Sequence, residues 1–254
     1  MTVTTRVGLI IPSSNRMVEQ EMVPAFAPAV QAHVTRLRMT GANHCALDRL
    51  LPRIEEAGRA LSDARCEVVI FHCTANSMEA GTAGERQILA ALARAGAPRA
   101  TTTITAVQRA LDSIAARCIV LITPYGEATT EHEAQFLRHA GYDVLSASGY
   151  ALAGSDAYCA MPAQFWRERA IERSHPDADA YFISCANICV FGVIEELEAR
   201  LGRPVVTSNQ AVIWDALRLL GGCERPPRLG RLLADNVGGG AHGKEAEPIA
   251  VARA

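Results

Sequence analysis

The sequence lacks the long hydrophobic run that a transmembrane helix requires. Its apolar runs extend over six or seven residues, whereas a helical span needs about 20. The N-terminal segment has no apolar core of the kind found in signal peptides, and no long basic block suggests nucleic-acid binding. The chain has 254 residues, a formal net charge of −2 and 49% hydrophobic residues, which is typical of a globular protein with a sizeable core. We therefore expect a cytoplasmic protein that binds neither a membrane nor a nucleic acid.

The sequence also lacks the pattern of a zinc site. Eight cysteines are present, but no C-x-x-C occurs, and the pair Cys185 and Cys189 has no second ligand pair. Structural zinc sites normally combine two such pairs, so we predict no metal site. The glycine run at 238–240 neither follows a predicted strand nor opens a helix, as a phosphate loop would. In a long cytoplasmic chain, reduced thiols are expected rather than disulfides.

Short apolar runs alternate with helical patterns along most of the chain. Continuous apolar runs are typical of strands that are buried on both faces, and their alternation with helices predicts an α/β fold with parallel sheets. The predicted strands lie at 7–11, 34–39, 68–72, 101–104, 119–123, 144–147, 180–184 and 205–207. The predicted helices lie near 16–28, 47–63, 82–95, 105–116, 129–140, 163–173, 189–201 and 209–220.

One pattern occurs twice in the chain. Cys73 lies sixty-one residues after Pro12, and Cys185 lies sixty-one residues after Pro124. Each proline ends or follows an apolar strand, and each cysteine follows another. Landmarks that recur in the same order indicate a duplicated half-domain.

The repeat suggests where the chain divides. Segments 96–103 and 201–208 form a further matching pair, each with a helix end, a strand and a polar helix start. We predict an N-terminal lobe at 1–116 and a C-terminal lobe at 117–223, whose last helix packs back on the first lobe. The tail at 224–254 is predicted to be loosely ordered, because it is rich in proline, glycine and polar residues.

Both repeated cysteines are predicted to lie where a strand ends and a helix begins. Free N–H groups and the helix dipole at such a place favour an anion and lower the pKa of a thiol. Parallel sheets bind ligands beyond the carboxyl ends of their strands. If the two halves face each other across a pseudo-twofold axis, Cys73 and Cys185 meet in one cleft. They would then perform acid/base or nucleophilic chemistry on a small carboxylic acid.

Hydrogen-bond donors surround the predicted cleft. Backbone N–H groups after each cysteine would bind a carboxylate and stabilise an enediolate-like charge, as in an oxyanion hole. The candidate substrate-binding residues are Ser14, Asn15, Thr74, Ala75, Tyr125, Ala186 and Asn187. This chemistry requires neither a metal nor a nucleotide.

Simpler roles compete with these assignments. Asn15 can cap the helix that follows it, and Tyr125 can fill the turn before Gly126. A single cysteine at a strand end usually packs in the core, but the matched pair favours chemistry. His72 precedes Cys73 and therefore points to the opposite face of the strand, which favours a packed histidine over a general base.

At these positions the sequence resembles the aspartate/glutamate racemase superfamily, and within it the branch of maleate cis–trans isomerases and arylmalonate decarboxylases. The matching motifs are Gly8-Leu9-Ile10-Ile11-Pro12-Ser13-Ser14-Asn15, Cys73-Thr74-Ala75, Thr123-Pro124-Tyr125-Gly126, Ser184-Cys185-Ala186-Asn187 and Pro204-Val205-Val206-Thr207-Ser208-Asn209-Gln210-Ala211. The resemblance implies two flavodoxin-like lobes, an active site between them, no cofactor and a homodimer.

The resemblance also implies roles for individual residues. Cys73 would attack the double bond of maleate as a thiolate, and rotation followed by elimination would give fumarate. Cys185 would give or take the proton at the neighbouring carbon. Asn15 and Tyr125 would hold the substrate carboxylates. The backbone donors would be Thr74, Ala75, Ala186 and Asn187.

Two alternatives stay open beside the isomerase. The decarboxylase branch carries a thiol only at the second of the two cysteine positions, so a thiol at both positions favours isomerisation. A racemase or decarboxylase of a substituted malonate is the runner-up. A binding protein without catalysis is the third hypothesis. Ala157 stands where the isomerases typically carry a residue with a side-chain amide. A roomier and more apolar pocket is predicted from Met78 and from segment 158–162. A substituted acid is therefore a candidate substrate.

Overall fold

A computed structural model describes residues 5–26, 28, 30–39, 46–221 and 229–235. Within these residues, two four-stranded parallel sheets are each flanked by helices. The prediction of an α/β fold with two parallel-sheet lobes is confirmed.

The first sheet is built from the N-terminal half of the chain. Its elements are β1 (Thr5–Pro12), a π-helical turn (Val18–Met22) that continues into α1 (Val23–Phe26), β2 (Val30–Leu37), α2 (Leu47–Asp63), β3 (Val68–Phe71), α3 (Thr74–Met78), α4 (Gly81–Arg94), β4 (Ala100–Thr102) and α5 (Thr103–Ser113). The strand order is β2-β1-β3-β4, so β1 and β3 are the inner strands.

The second sheet repeats this arrangement. Its elements are β5 (Cys118–Thr123), α6 (Glu127–His139), β6 (Asp143–Gly149), α7 (Gly154–Ala160), α8 (Ala163–Glu172), β7 (Ala180–Ile183), a 3-10 turn (Phe191–Val193), α9 (Ile194–Leu201), β8 (Val205–Thr207) and α10 (Ser208–Leu219). The order β6-β5-β7-β8 matches that of the first sheet strand for strand. Leu9 pairs with Ile70 in the first sheet as Leu121 pairs with Phe182 in the second.

Burial explains why these segments form inner strands. Every residue of β3 and of β7 is buried, because helices cover both faces of each sheet. Cys73 and Cys185 follow these two strands, two residues beyond the last residue of each. The duplicated topology therefore places the two thiols at matching points of the two sheets.

Helix α10 joins the halves through an ion cluster around a buried carboxylate. It follows β8 of the second sheet but packs against α5 of the first. The Asp215 carboxylate on α10 is fully buried; it accepts hydrogen bonds from Thr101 (2.8 Å) and from Arg109 (3.0 Å) and Arg218 (2.8 Å). Such a carboxylate needs its partners, since an unpaired buried charge would be strongly destabilising. We propose 116/117 as the boundary between lobes, in the connection from α5 to β5.

The predicted loose tail contains a packed helix. Helix α11 (Gly230–Asp235) buries Leu232 and Leu233, and its Arg231 N–H donates to the Glu198 carboxylate (2.9 Å). Apolar side chains at two adjacent positions outweighed the tail's polar composition, so the prediction is wrong for this helix. Residues 224–228 and 236–254 of that segment lie outside the described residues. Over the ranges that the structure describes, no helix has both the length and the apolar character needed to cross a membrane.

Candidate active site

A cavity of about 280 Å³ opens beyond the carboxyl ends of the inner strands of both sheets. Its wall contains all nine predicted site residues: Ser14, Asn15, Cys73, Thr74, Ala75, Tyr125, Cys185, Ala186 and Asn187. Sequence reasoning did not identify Met39, Thr129, Ala151 and Leu152, which also line it. Met39 and Leu152 have no polar or reactive group that would single them out in a sequence.

Cys73 lies between β3 and α3. Its backbone is extended (φ −151°, ψ 106°) and it precedes the first residue of the helix. The half-buried thiol donates a weak hydrogen bond to the side-chain oxygen of Asn76 (3.4 Å). Burial raises the pKa of this thiol to about 11, the Asn76 backbone N–H opposes the rise, and the nearby Glu79 carboxylate adds to it. The predicted lowering of the thiol pKa at a helix start is therefore wrong, because desolvation of the thiol outweighs the favourable dipole of the short helix α3.

Cys185 follows β7 but does not begin a helix. The chain turns at 185–190, and regular helix starts only with the turn at Phe191–Val193, so the prediction of a strand-to-helix junction is wrong here. Cys185 has φ +134°, an uncommon conformation that costs on the order of 1–3 kcal/mol for a non-glycine residue. Backbone strain of this kind is concentrated at functional sites in proteins.

The Cys185 sulfur accepts a hydrogen bond from the Asn187 N–H (3.3 Å). The Tyr125 hydroxyl also favours the ionised form of this thiol and so opposes a rise in its pKa. Burial nevertheless raises the pKa of Cys185 to about 12, with both groups opposing and the charge of Cys73 adding to the rise. Because the two sulfurs influence each other, their ionisations are coupled.

Ser208 connects the two cysteine-bearing turns. Its hydroxyl oxygen accepts a hydrogen bond from the Thr74 hydroxyl (3.0 Å) and another from the Cys185 N–H (3.1 Å). Ser208 is fully buried at the first residue of α10. The sequence signal for this residue was its place in the repeated strand-to-helix segment, where Thr103 is its counterpart.

Asn15 performs two structural tasks. Its side-chain oxygen accepts from the N–H groups of Met17 and Val18 (3.0 Å each), which caps the following turn. Its side-chain nitrogen donates to the Ala186 carbonyl (2.8 Å) in the wall of the cavity. The capping role predicted from the sequence is confirmed. The second N–H of the side-chain amide takes no part in these hydrogen bonds.

Asn187 makes the reciprocal link from the second half. Its side-chain oxygen accepts from the Arg16 N–H (2.8 Å), and its side-chain nitrogen donates to the Ser14 carbonyl (3.4 Å). The cavity rim is thus fixed by hydrogen bonds that run in both directions between the halves. The orientation of the two thiols consequently depends on how the halves are joined.

Tyr125 closes one side of the cavity. Its ring packs edge-on against Tyr158, with centroids 6.0 Å apart. Burial holds the pKa of its hydroxyl well above the ordinary value, so the hydroxyl remains a donor at neutral pH. A Cβ at Gly149 would lie 2.6 Å from the Tyr125 carbonyl oxygen, so the end of β6 can approach this turn only with glycine there.

His72 lies outside the cavity, as predicted. It is fully buried, and its ring nitrogens lie 3.0 Å from Thr103 Oγ1 and 3.0 Å from Asn209 Oδ1. Burial lowers the pKa of His72 to about 4, so the ring is neutral at pH 7. The described residues contain no group of three or more histidine, cysteine or acidic side chains arranged to hold a metal ion.

Comparison with known proteins assigns the family. A family model described as arylmalonate decarboxylase matches residues 7–233. The chain belongs to the arylmalonate decarboxylase family. A relative in this family, the arylmalonate decarboxylase of Bordetella bronchiseptica, is 27% identical over 237 residues, with 92% of this chain and 98% of the relative covered.

Maleate isomerases are similar to the chain over nearly the same length. The enzyme of Nocardia farcinica (strain IFM 10152) is 26% identical over 241 residues, with 90% of this chain and 95% of the relative covered. A solved structure of a Nocardia farcinica maleate cis–trans isomerase, a cysteine-to-serine variant with a covalently bound succinylcysteine intermediate, has a TM-score of 0.85 at 24% identity, and 91% of this chain and 98% of that one are covered. The family fold therefore accommodates proteins named for two different reactions.

Proposed function

We propose that this protein is a cofactor-independent cis–trans isomerase of a small unsaturated dicarboxylate, maleate or a substituted relative. One observation carries the proposal: Cys73 and Cys185, at matching ends of the two inner strands, line the same cavity. A simple decarboxylation needs a single proton donor, whereas isomerisation through a covalent adduct uses a nucleophile and an acid/base group. The relatives named maleate isomerase add support.

The substrate would be bound without a cationic side chain. No lysine, arginine or histidine is among the cavity-lining residues that the structure describes. We assign the carboxylates to backbone N–H groups at Thr74, Ala75 and Ala186 and to the side chains of Ser14, Asn15 and Tyr125. The Asn187 N–H, also predicted as a donor to the substrate, donates to Cys185 Sγ instead (3.3 Å). Preorganised donors of this kind stabilise negative charge most strongly where charge develops in the transition state.

The reaction would proceed through a thioether adduct. The Cys73 thiolate forms a carbon–sulfur bond to one alkene carbon, and the electron pair of the double bond moves to the neighbouring carbon as an enediolate. Rotation about the resulting single bond brings the carboxylates to opposite sides. Breaking the carbon–sulfur bond then restores the double bond in the trans geometry and returns the thiolate.

Cys185 would exchange a proton with the neighbouring carbon during this sequence. Protonation from its thiol would give a succinyl adduct on Cys73, and removal of a proton by the same sulfur would reverse that step before elimination. The succinylcysteine in the solved relative is the kind of adduct this scheme would produce. Proton count and charge are thus balanced by two sulfurs alone.

A decarboxylase is the second candidate, and one observation favours it. The cavity wall includes apolar side chains at Met39, Leu152 and Tyr158, which suit the aryl or alkyl substituent of a substituted malonate. In that reaction Cys185 would protonate the carbanion left after loss of carbon dioxide. The relative named arylmalonate decarboxylase supports this alternative.

The two candidates are separated by product analysis. Purified protein should convert maleate, or its methyl- or phenyl-substituted form, to the trans isomer, as followed by NMR or chromatography. Release of carbon dioxide from arylmalonates with no action on any maleate would replace the first proposal by the second. A protein with Cys73→Ala supplies the matched control, because it retains the proton donor of a decarboxylase but not the nucleophile of an isomerase.

A further inference from the structure

Ser208 stands behind the cavity wall, where the two halves of the chain meet. It is fully buried and is not among the cavity-lining residues that the structure describes. Its hydroxyl oxygen accepts one hydrogen bond from each half, from the Thr74 hydroxyl (3.0 Å) and from the Cys185 N–H (3.1 Å). A hydroxyl oxygen has two lone pairs, so both are engaged. One atom therefore ties the residue after Cys73 to the backbone of Cys185.

The first turn of α10 holds this oxygen in a fixed place. Thr207, the residue before Ser208, accepts through its hydroxyl from the Gln210 N–H (3.1 Å), and the Gln210 side-chain oxygen accepts from the Thr207 N–H (2.9 Å). The Gln210 side-chain nitrogen also donates to the Leu229 carbonyl (2.7 Å). Such a reciprocal capping box fixes the start of a helix. The Ser208 oxygen is consequently a rigid reference point for the groups that donate to it.

The same helix start contacts the other neighbour of Cys73. Asn209 Oδ1 lies 3.0 Å from His72 Nε2, and His72 precedes Cys73 as Thr74 follows it. His72, Thr74, Ser208 and Asn209 are all buried, and hydrogen bonds are electrostatically stronger in such surroundings than in water. Ser208 and Asn209 together therefore hold the chain on both sides of Cys73.

The backbone of Cys185 needs an anchor of this kind. Its φ is +134°, and a strained conformation persists only where the surrounding structure imposes it. In the first half, the hydroxyl of Thr103, the repeat counterpart of Ser208, lies 3.0 Å from the His72 ring nitrogen. In the second half, the matching hydroxyl bonds to the cysteine backbone itself. The same position of the repeat therefore serves a different purpose beside Cys185.

We propose that Ser208 is a positioning residue that sets the placement of Cys185 relative to Cys73, with one hydroxyl oxygen fixing the turns that carry both thiols. Its role in turnover rests on the proposed function, in which the Cys185 proton must reach the carbon next to the one that Cys73 attacks. A displacement of about 1 Å between reacting groups can cost about 100-fold in rate. Ser208 does not touch the substrate; it acts through Thr74 and the backbone of Cys185.

Removal of the hydroxyl should slow the chemical step without weakening substrate binding. In Ser208→Ala we expect kcat for maleate, or for the substituted maleate that the wild type converts best, to fall by about tenfold or more. The KM should change by less than about threefold. Ser208→Thr keeps the oxygen, and threonine already occupies the matching place at residue 103, so this variant should recover most of kcat. An unchanged kcat in Ser208→Ala, with or without a rise in KM, would overturn the proposal.

Thr101→Val supplies the matched control. Thr101 is a fully buried residue whose hydroxyl donates to Asp215 on the same helix (2.8 Å), and it is not among the described residues of the cavity wall. Its substitution should lower the melting temperature but leave kcat within about twofold. Equal losses of kcat in Thr101→Val and Ser208→Ala would show that Ser208 acts through stability alone and would overturn the proposal.

A second variant covers the case in which Ser208→Ala folds poorly. Thr74→Val deletes the donor at the other end of the bond, keeps the backbone N–H of Thr74 and has nearly the same shape as the wild type. It should lower kcat in the same direction as Ser208→Ala. A normal kcat in Thr74→Val would contradict the tie between the two turns.

Amide hydrogen exchange tests the anchoring without any substrate. In Ser208→Ala the Cys185 N–H should exchange about tenfold or more faster than in the wild type, while amides in the middle of α10 keep their rates. NMR spectroscopy would resolve these amides. Equal rates at Cys185 in the two proteins would overturn the proposal. A wild type that converts neither a maleate nor an arylmalonate would instead remove the proposed function, and exchange at Cys185 would still report on Ser208.

Discussion

The side-chain amide of Asn15 donates a hydrogen bond of 2.8 Å to the carbonyl oxygen of Ala186, 171 residues later in the chain. This bond joins the two lobes at the cavity, directly beside Cys185. The same amide caps the turn after β1 through its oxygen. Folding of the first lobe and placement of the second thiol are therefore coupled through one side chain.

Replacement of Asn15 should separate these two tasks. Asn15→Ala loses both and should lower the free energy of unfolding by about 1–3 kcal/mol and reduce turnover. Asn15→Asp retains the capping oxygen but not the donor, so it should recover part of the stability and little of the turnover. Urea denaturation and steady-state kinetics would check this. Normal turnover in both variants would leave Asn15 with a capping role alone.

Substitution of the two cysteines should impair the reaction in different ways. Cys73→Ser should abolish isomerisation, because a serine hydroxyl is a far weaker nucleophile than a thiolate at neutral pH. Cys185→Ser should also lose turnover, yet a substrate adduct on Cys73 should still form. Mass spectrometry of the intact protein after incubation with maleate would detect it. Equal adduct formation in the Cys73 variant would place the nucleophile elsewhere.

Activity should rise with pH on the alkaline side of neutrality. The pKa of Cys73 is about 11 and that of Cys185 about 12, so the form with one thiolate and one thiol is scarce at neutral pH and increases as pH rises. The ratio kcat/KM should increase by about tenfold per pH unit between about pH 7 and 9. Rates measured in overlapping buffers would test this. A flat profile of kcat/KM would show that the reactive form of the free protein is already fully populated at pH 7, which contradicts a raised pKa at Cys73.

The buried Glu133 on α6 should make the protein less stable as pH rises. Its folded-state pKa is raised from about 4.5 to about 8, so the stabilising contribution of its protonated form is complete below about pH 4.5. That contribution is lost progressively as pH approaches 8, at up to about 1.4 kcal/mol per pH unit. Glu133→Leu should therefore be more stable than the wild type above about pH 8.

Denaturation curves at several pH values would measure this effect. Glu131→Gln, on the exposed face of the same helix, should retain the pH dependence of the wild type. A Glu133→Leu variant with an unchanged pH dependence would show that Glu133 is ionised or partnered in the native protein.

Much of the fold could be predicted from the sequence, because buried parallel strands are continuous apolar runs. The predicted ends of strands and helices were less accurate where side-chain capping decides them. Thr103 and Ile104 were predicted in a strand, yet they begin α5, because the Thr102 hydroxyl accepts from the Thr105 N–H and caps the helix there. Strand β2 begins at Val30 rather than 34, since its edge position tolerates a less apolar pattern.

The convergence of the predicted site residues could also be predicted, because the repeat fixed both thiols relative to the strand ends. The directions of the thiol pKa shifts could not be predicted, since they depend on how deeply the folded chain buries each sulfur. The burial of the Glu133 carboxyl, which has no hydrogen-bond partner among the described residues, was equally hidden, because it depends on how α6 packs in the folded chain. The cytoplasmic location and the homodimer stay predictions.

The backbone of Cys185 has a further consequence. Its φ of +134° is a conformation that glycine adopts with less strain, so the residue best suited to this bend has no sulfur. Redesign for heat resistance that scores backbone strain alone would therefore favour glycine at this position. Such a variant would relieve the strain and lose the proposed chemistry, so the position should be held fixed in any engineering effort.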